Sequence, residues 1–283
     1  MRIAAVWWPL VLVATPLPAQ SDSARVGFVQ AVRDATRRYA ERATAANDGY
    51  RKIGPDFPSM GEHWISVPLV VSGTVDLLHP PILEYATLGG HPTLVGVAYA
   101  QLVRDGPPTT LLPAGPEAWH YHAGTVDVES FILGHAQAPT PPPGAGPRIA
   151  VLHAWVWLEN PAGLFATNNW ALPYARLGLA APARDAEPSE ATLAAALASG
   201  GESYLSTLIR MRHRPSSADS ARIDSILTSH AAAIRNTLAR GDDPSRGLQL
   251  TTAWQTLRAA LDTACACGWA TLGDLAAAKH SHQ

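Results

Sequence analysis

The spacing of apolar residues changes twice along the chain. From Ser21 to Gly49, Val26, Val29, Val32, Thr36, Tyr39 and Ala43 recur at steps of three and four, the period of one helix face. Ser21, Asp22 or Ser23 can cap the start of that helix and Gly49 can end it, while Arg33, Arg37, Arg38, Glu41 and Arg42 form a solvated opposite face. From Tyr50 to about Leu179 the apolar runs shorten and Pro or Gly interrupts them every few residues, as in strands and loops. ILEYATLGGHPTLVGVAYAQLV sets two β-rich runs on either side of Gly89-Gly90, a pair that accepts the positive φ angles of a tight hairpin. RIAVLHAWVWLEN is apolar on both faces, with Val151, His153, Trp155 and Trp157 on one side and Leu152, Ala154, Val156 and Leu158 on the other. Such a strand belongs in the middle of a covered sheet.

QAPTPPPGAGP at 137–147 predicts an extended, exposed polyproline-like loop. Beyond a linker at 180–190 the period is helical to the end. Gly200-Gly201 divides an Ala- and Leu-rich run, and Ser216 with Asp219 makes a capping box. Ile223, Leu227, His230, Ile234 and Leu238 then keep one face up to Gly241. Asp243-Pro244 opens a last helix whose inward residues are Leu250, Trp254, Leu257, Leu261 and Ala264. The fold class is α+β: an antiparallel β-sheet or partly closed barrel, an N-terminal helix and a C-terminal helical layer. Residues 20–180 form the α+β domain and 181–283 an Ala-rich helical subdomain.

The first residues add a destination. MRIAAVWWPLVLVATPLPAQS carries one cation, Arg2, then an apolar run from Ile3 to Val13 and a small residue, Ala19, after a Pro-rich segment. This is the layout of a secretory signal peptide spanning 1–19, and it implies a periplasmic or secreted protein. The run is shorter than the roughly 18 apolar residues of a membrane span, and no cysteine near Ala19 offers a lipid anchor. Cleavage leaves 283 − 19 = 264 residues and, with Arg2 gone, moves the formal charge from −2 to −3. A balance that near zero argues against nucleic acid as a partner. Hydrophobic residues make up 47% and charged ones 16%, a packed globule rather than a disordered tail. Cys265 and Cys267 are the two cysteines. In an exported chain they invite a disulfide, but one spanning a single residue is strained and does not fit a regular helix. Two small apolar residues near a helix end is the alternative.

Several chemistries lack their motifs: there is no G-x-S-x-G elbow, Walker loop, H-E-x-x-H or helix-opening G-x-G-x-x-G. What stands out is histidine. Of eleven, His63, His120, His122 and His153 lie in apolar or aromatic surroundings within the β region. On a strand, residues two apart share a face, so His120 and His122 aim at one point. Asp127 can turn back as a carboxylate ligand or as the acceptor that orients an imidazole. His153, in a central strand, needs a partner, either an ion or a hydrogen bond. The expectation is one mononuclear site of His63, His120, His122, His153 and Asp127 holding one transition metal, Zn, Cu or Fe. Three bound imidazoles would leave a position for metal-dependent catalysis; four would close it. Glu62, beside His63, is a loop carboxylate or a general base. The alternative is a non-catalytic binding or interaction module, with a small-molecule ligand among the nine tryptophans and histidines that hydrogen-bond it.

Two resemblances bear on this site. HYHAGTVDVESFILG is similar to the first cupin motif, with four residues between His122 and Asp127 and six between Asp127 and Gly134. It departs from that motif in having Asp where cupins prefer Glu, in the spacing of Gly115, and in lacking the second motif around His153. Residues 45–180 also resemble an uncharacterised family of exported bacterial proteins. Its members carry segments like GYRKIGPDFPSMGEHW, GGHPTLVGVAYA, AWHYHAG and LHAWVWLENPAGLFATNNWALPY. That resemblance implies a shared domain with clustered histidines and no defined activity; the helical tail after about residue 185 lies outside it.

Overall fold

A computed structural model describes residues 22–104, 108, 112–123, 148–181, 188–239 and 245–265. Residues 1–19, read as a leader, Asp127, the predicted polyproline-like loop at 137–147, Gly241, Asp243-Pro244 and Cys267 therefore lie outside the described residues. Six strands form one curled, antiparallel half-barrel sheet. They are β1 (Arg51–Phe57), β2 (Gly61–Ile65), β3 (Ile82–Leu88), β4 (His91–Val103), β5 (His120–Ala123) and β6 (Arg148–Ala154), in the order β1-β2-β3-β4-β6-β5. The hairpin at Gly89-Gly90 forms as expected, with φ of +56° and +84° and Leu88 opposite His91. β6 sits between β4 and β5 and is buried on both faces, as its unbroken apolar run requires.

The N-terminal segment is not one helix. α1 (Asp22–Thr36) gives way to a 3-10 turn at Arg37–Ala40, and α2 (Arg42–Asn47) follows, ending at Gly49 with φ +92°. The tighter turn changes the phase. Of the expected stripe, Val29 is partly buried, Thr36 is buried, and Val26 (68% exposed) and Ala43 face solvent; Val32 and Tyr39 point inward, together with Phe28 and, beyond the turn, Ala45. They pack with Leu83, Tyr85, Val97, Tyr99, Leu152 and Ala154 on one face of the sheet. Tyrosine hydroxyls in this layer stay bonded: Tyr85 donates to the Tyr39 carbonyl at 2.6 Å and Tyr99 to that of Leu77 at 2.8 Å.

The other face meets the C-terminal helices. These are α4 (Leu172–Arg176), α5 (Glu190–Ala196), α6 (Glu202–His213), α7 (Ser217–Leu238) and α8 (Arg246–Cys265), with α3 (Val67–Val71) lying along β4. Phe57, Met60, Ala86, Val95, Trp155 and Trp170 from the β region share one apolar cluster with Leu197, Tyr204, Leu208, Ile234 and Trp254. The predicted cap on α7 is present, the Ser216 hydroxyl accepting from the Asp219 amide at 3.2 Å, and Ile223, Leu227, Ile234 and Leu238 are buried. His230, placed in that stripe by its spacing, is only partly buried, and Ala231 takes the inward position. Gly200, φ +114°, breaks α5 from α6 as expected. Cys265 ends α8 and is disulfide-bonded, with Cys267 the one other cysteine in the chain.

Irregularities in the sheet create room for side chains. The register between β3 and β4 shifts between Glu84 and Tyr85, leaving Val95 as the extra residue of a bulge. The carbonyl of Val95 then accepts from the Trp157 and Leu158 amides. The alternation of β6 therefore ends at Ala154. Trp157, expected on the His153 side, instead sits over α1, its indole N–H donating to Thr36 at 3.1 Å. At Gly61, φ is +80° and a Cβ would lie 2.3 Å from the Tyr85 carbonyl oxygen. Gly61→Ala is expected to destabilise the fold by about 3 kcal/mol, summing backbone strain and steric overlap. Gly49→Ala, also at positive φ but in open space, should cost about 1 kcal/mol. Urea midpoints of the two variants measure the contrast, and equal losses would contradict it.

Candidate metal centre

The cross-strand register builds the site. His63 on β2 lies opposite Glu84 on β3, Glu84 opposite Gly96 on β4, and Ala98 on β4 opposite His153 on β6. Directly opposed residues share a face, so His63, Glu84 and His153 all project toward the C-terminal helices. Glu84 and His153 are two strands apart, about 9.6 Å between backbones. They meet above the smallest side chains of β4, Gly96 and Ala98. Next to them, His120 and His122 on β5 oppose Val151 and Ile149, placing both on the same face.

The outcome is a dense, buried cluster. His63, Glu84 and His153 can hold a metal ion, since each offers a ligand atom and those atoms lie within 4.8 Å of one another. His153 Nδ1 makes a very close hydrogen-bonding contact with Glu84 Oε1, and His63 Nε2 is 3.8 Å from the same oxygen. Ring centroids of His63 and His153 are 5.7 Å apart, of His153 and His120 5.1 Å, and of His120 and His122 5.0 Å. A ring centroid lies about 3.2 Å from an ion bound by its nitrogen, so rings sharing an ion sit about 4.5 Å apart at a right angle and about 6.4 Å apart when opposed. All three separations fall inside that interval. Exposure is 2% for His63, 0% for Glu84, 4% for His120, 7% for His122 and 1% for His153.

Four of the five residues singled out from the sequence are thus brought together, and the fifth, Asp127, lies outside the described residues. Glu84 was missed. Its signal was a lone carboxylate in an apolar strand, ILEYATL, where an unpartnered charge is costly. Glu62 is no loop residue: it lies on β2, pairing with Arg42 at 2.7 Å and Lys52 at 2.9 Å. Burial alone would raise its carboxyl pKa, but Lys52, the Trp64 indole N–H and Arg42 hold it below the usual range. Trp119, Trp155 and Trp170 are buried in the core, and Trp64 and Trp157 pack against it.

Burial sets the protonation of the cluster. Desolvation, reinforced by His153 and His122, pushes His63 well below the ordinary imidazole value. Desolvation, reinforced by His153, pushes His122 down to about 4. Glu84 moves the opposite way, raised by burial against the pull of His153. Both histidines therefore present neutral rings at neutral pH, the form that binds metals. Within this cluster, the buried Glu84 Oε2 and His153 Nε2 have no hydrogen-bond partner among the described residues. No protein-family model, curated protein or solved structure matches the chain, so the reading rests on this chemistry.

A depressed imidazole pKa means that the unfolded chain binds the proton more tightly. The stability held by a neutral His122 is complete above about pH 6.5 and is lost as pH falls toward 4. At its limit the loss is about 3 kcal/mol. Glu84 contributes with the opposite sign, losing stability as pH rises above the ordinary carboxyl range, so the His122 contribution is best read by difference. Urea titrations of metal-free wild type and His122→Leu should converge in stability between pH 6.5 and 4. A gap that stays constant over that interval would show that His122 is not held neutral by the fold.

Proposed function

We propose that this chain is an exported metal-binding protein in which the His63, Glu84 and His153 group, flanked by His120 and His122, holds one transition-metal ion. The observation that carries the reading is the orphaned His153 Nε2, buried in a cluster of four imidazoles and a carboxylate. A single core histidine is satisfied by one hydrogen bond; a cluster of five titratable groups between two apolar layers calls for a cation. Imidazole and carboxylate donors without a thiolate suit Zn, Cu or Fe. Members buried to 7% or less favour an ion held permanently as part of the fold over one that exchanges substrate.

Export rests on the leader-like pattern of residues 1–19. No helix among the described residues is long and apolar enough to cross a membrane. Elemental analysis of the mature protein should find about one Zn, Cu or Fe per chain, and a chelator should lower its thermal midpoint. His63→Ala and His153→Leu should each lose the ion while keeping the far-ultraviolet circular dichroism of the fold. A wild-type protein that carries no transition metal and takes up none of the three would instead leave the histidines as hydrogen-bonding groups of a binding module.

A further inference from the structure

We propose, resting on the metal reading, that Glu84 serves the ion from outside its ligand set as a positioning residue. It fixes the ring of His153 through Nδ1 so that Nε2 faces the ion, and Gly96 is the slot over which it reaches. The ligands are then the four imidazoles of His63, His120, His122 and His153. Three features of the geometry support this division. First, Oε1 of Glu84 is already engaged by His153 Nδ1. With a metal at one imidazole nitrogen the other carries the proton, and that N–H most often donates to a carboxylate or carbonyl. Second, the remaining oxygen occupies the space above β4 that a side chain at position 96 would take. A Cβ at position 96 would lie 2.3 Å from Oε2, 3.3 Å from the Ala154 carbonyl oxygen and 3.4 Å from the Trp155 ring. Oε2 therefore fills the slot left by the missing Cβ of Gly96, with the Ala154 carbonyl and the Trp155 ring as the slot's other walls.

Third, the nitrogen left over on His153 is the buried, unpartnered Nε2, and its ring is flanked by those of His120 and His63 at separations suited to a shared ion. A carboxylate crossing β4 needs residue 96 to lack a side chain, so the Gly of LVGVAYA is part of the site although it offers no donor. In this arrangement the negative charge of Glu84 strengthens His153 as a ligand and offsets part of the ion's charge in a region shielded from water.

Cobalt(II) and zinc(II) are the probes. Wild type loaded with Zn²⁺ should show about four imidazoles in its X-ray absorption fine structure. Glu84→Gln should still take up one Co²⁺ per chain with visible bands unchanged in position and intensity, while binding it roughly 10- to 100-fold more weakly. Gly96→Ala should weaken Co²⁺ binding in the same sense, and the double variant should lose less than the two losses combined, because both act through one carboxylate. A count of two imidazoles in wild type, or Co²⁺ bands altered by Glu84→Gln, would make Glu84 a ligand and overturn the assignment. If Glu84→Gln does not fold, the wild-type imidazole count decides alone. Failure of wild type to bind either ion would sink the metal reading itself, an outcome distinct from both.

Discussion

The contact between Glu84 and His153 across β4 is the constraint around which this molecule is arranged. A carboxylate with no exposure, on an otherwise apolar sheet face, is costly unless something nearby accepts its charge or its proton. Meeting that need from two strands away dictates the local sequence. β4 must present Gly96 and Ala98 where other strands carry large side chains, and the bulge at Val95 sets the register of β3 and β4 beside Glu84. The strained close approach at Gly61 belongs to the same design, because it brings the β1–β2 turn against Tyr85 and aligns His63 with Glu84.

Support for the cluster comes from both layers. Phe57 meets the His63 ring edge-on at 5.3 Å and touches Tyr204 of α6 at 5.4 Å. A chain of rings thus runs from the C-terminal helices to the site. Arg176 of α4, itself buried, grips both oxygens of Asp56 at 2.8 and 2.5 Å, fixing the end of β1 that carries Phe57. Asn169 and Ser59 close the same corner, the Asn169 amide donating to the Ser59 carbonyl at 2.8 Å. The helices therefore do more than cover an apolar face: they hold the roof of the polar cluster in place, and disturbing that packing would reach His63 within two contacts.

Much of this was legible in the sequence. Two β-rich runs with the Gly-Gly pair between them located the β3–β4 hairpin, and the two-sided apolar run located β6 in the interior. Stripes at helical spacing identified the inward residues of α7 and α8. For the site, polar residues in apolar strands were the useful signal, and it drew attention to all four histidines. What stayed hidden had physical causes. The re-phasing by the 3-10 turn at Arg37–Ala40 has no marker in local composition, so Ala43 was placed inward where Ala45 is, although Val32, Thr36 and Tyr39 were placed correctly. Trp157 was placed by extending an alternation that the Val95 bulge, on another strand, interrupts. Glu84 was overlooked because acidic residues are usually solvated, although its place between Leu83 and Tyr85 carried the same information as His153 among its neighbours. The role of Gly96 depends on which strands are adjacent, and sequence spacing does not reveal that.

The protonation shifts tie these strands of evidence together. Burial drives His63 and His122 toward the neutral ring and Glu84 toward the neutral acid, so every shift reduces charge in a region that water does not reach. Without a cation, that neutrality is the least costly state for groups so deeply buried. A divalent ion changes the balance for all members at once. It takes up the imidazole lone pairs, which burial has already freed of protons at neutral pH, and it lets the carboxylate ionise against a nearby positive charge. The same desolvation that makes the metal-free cluster costly prepares it for metal, because the competing proton has been excluded in advance. A surface cluster of identical residues would bind its proton near pH 6.5 and gain no such advantage. For the proposed metal site, burial would therefore count toward affinity alongside the identity of the ligands.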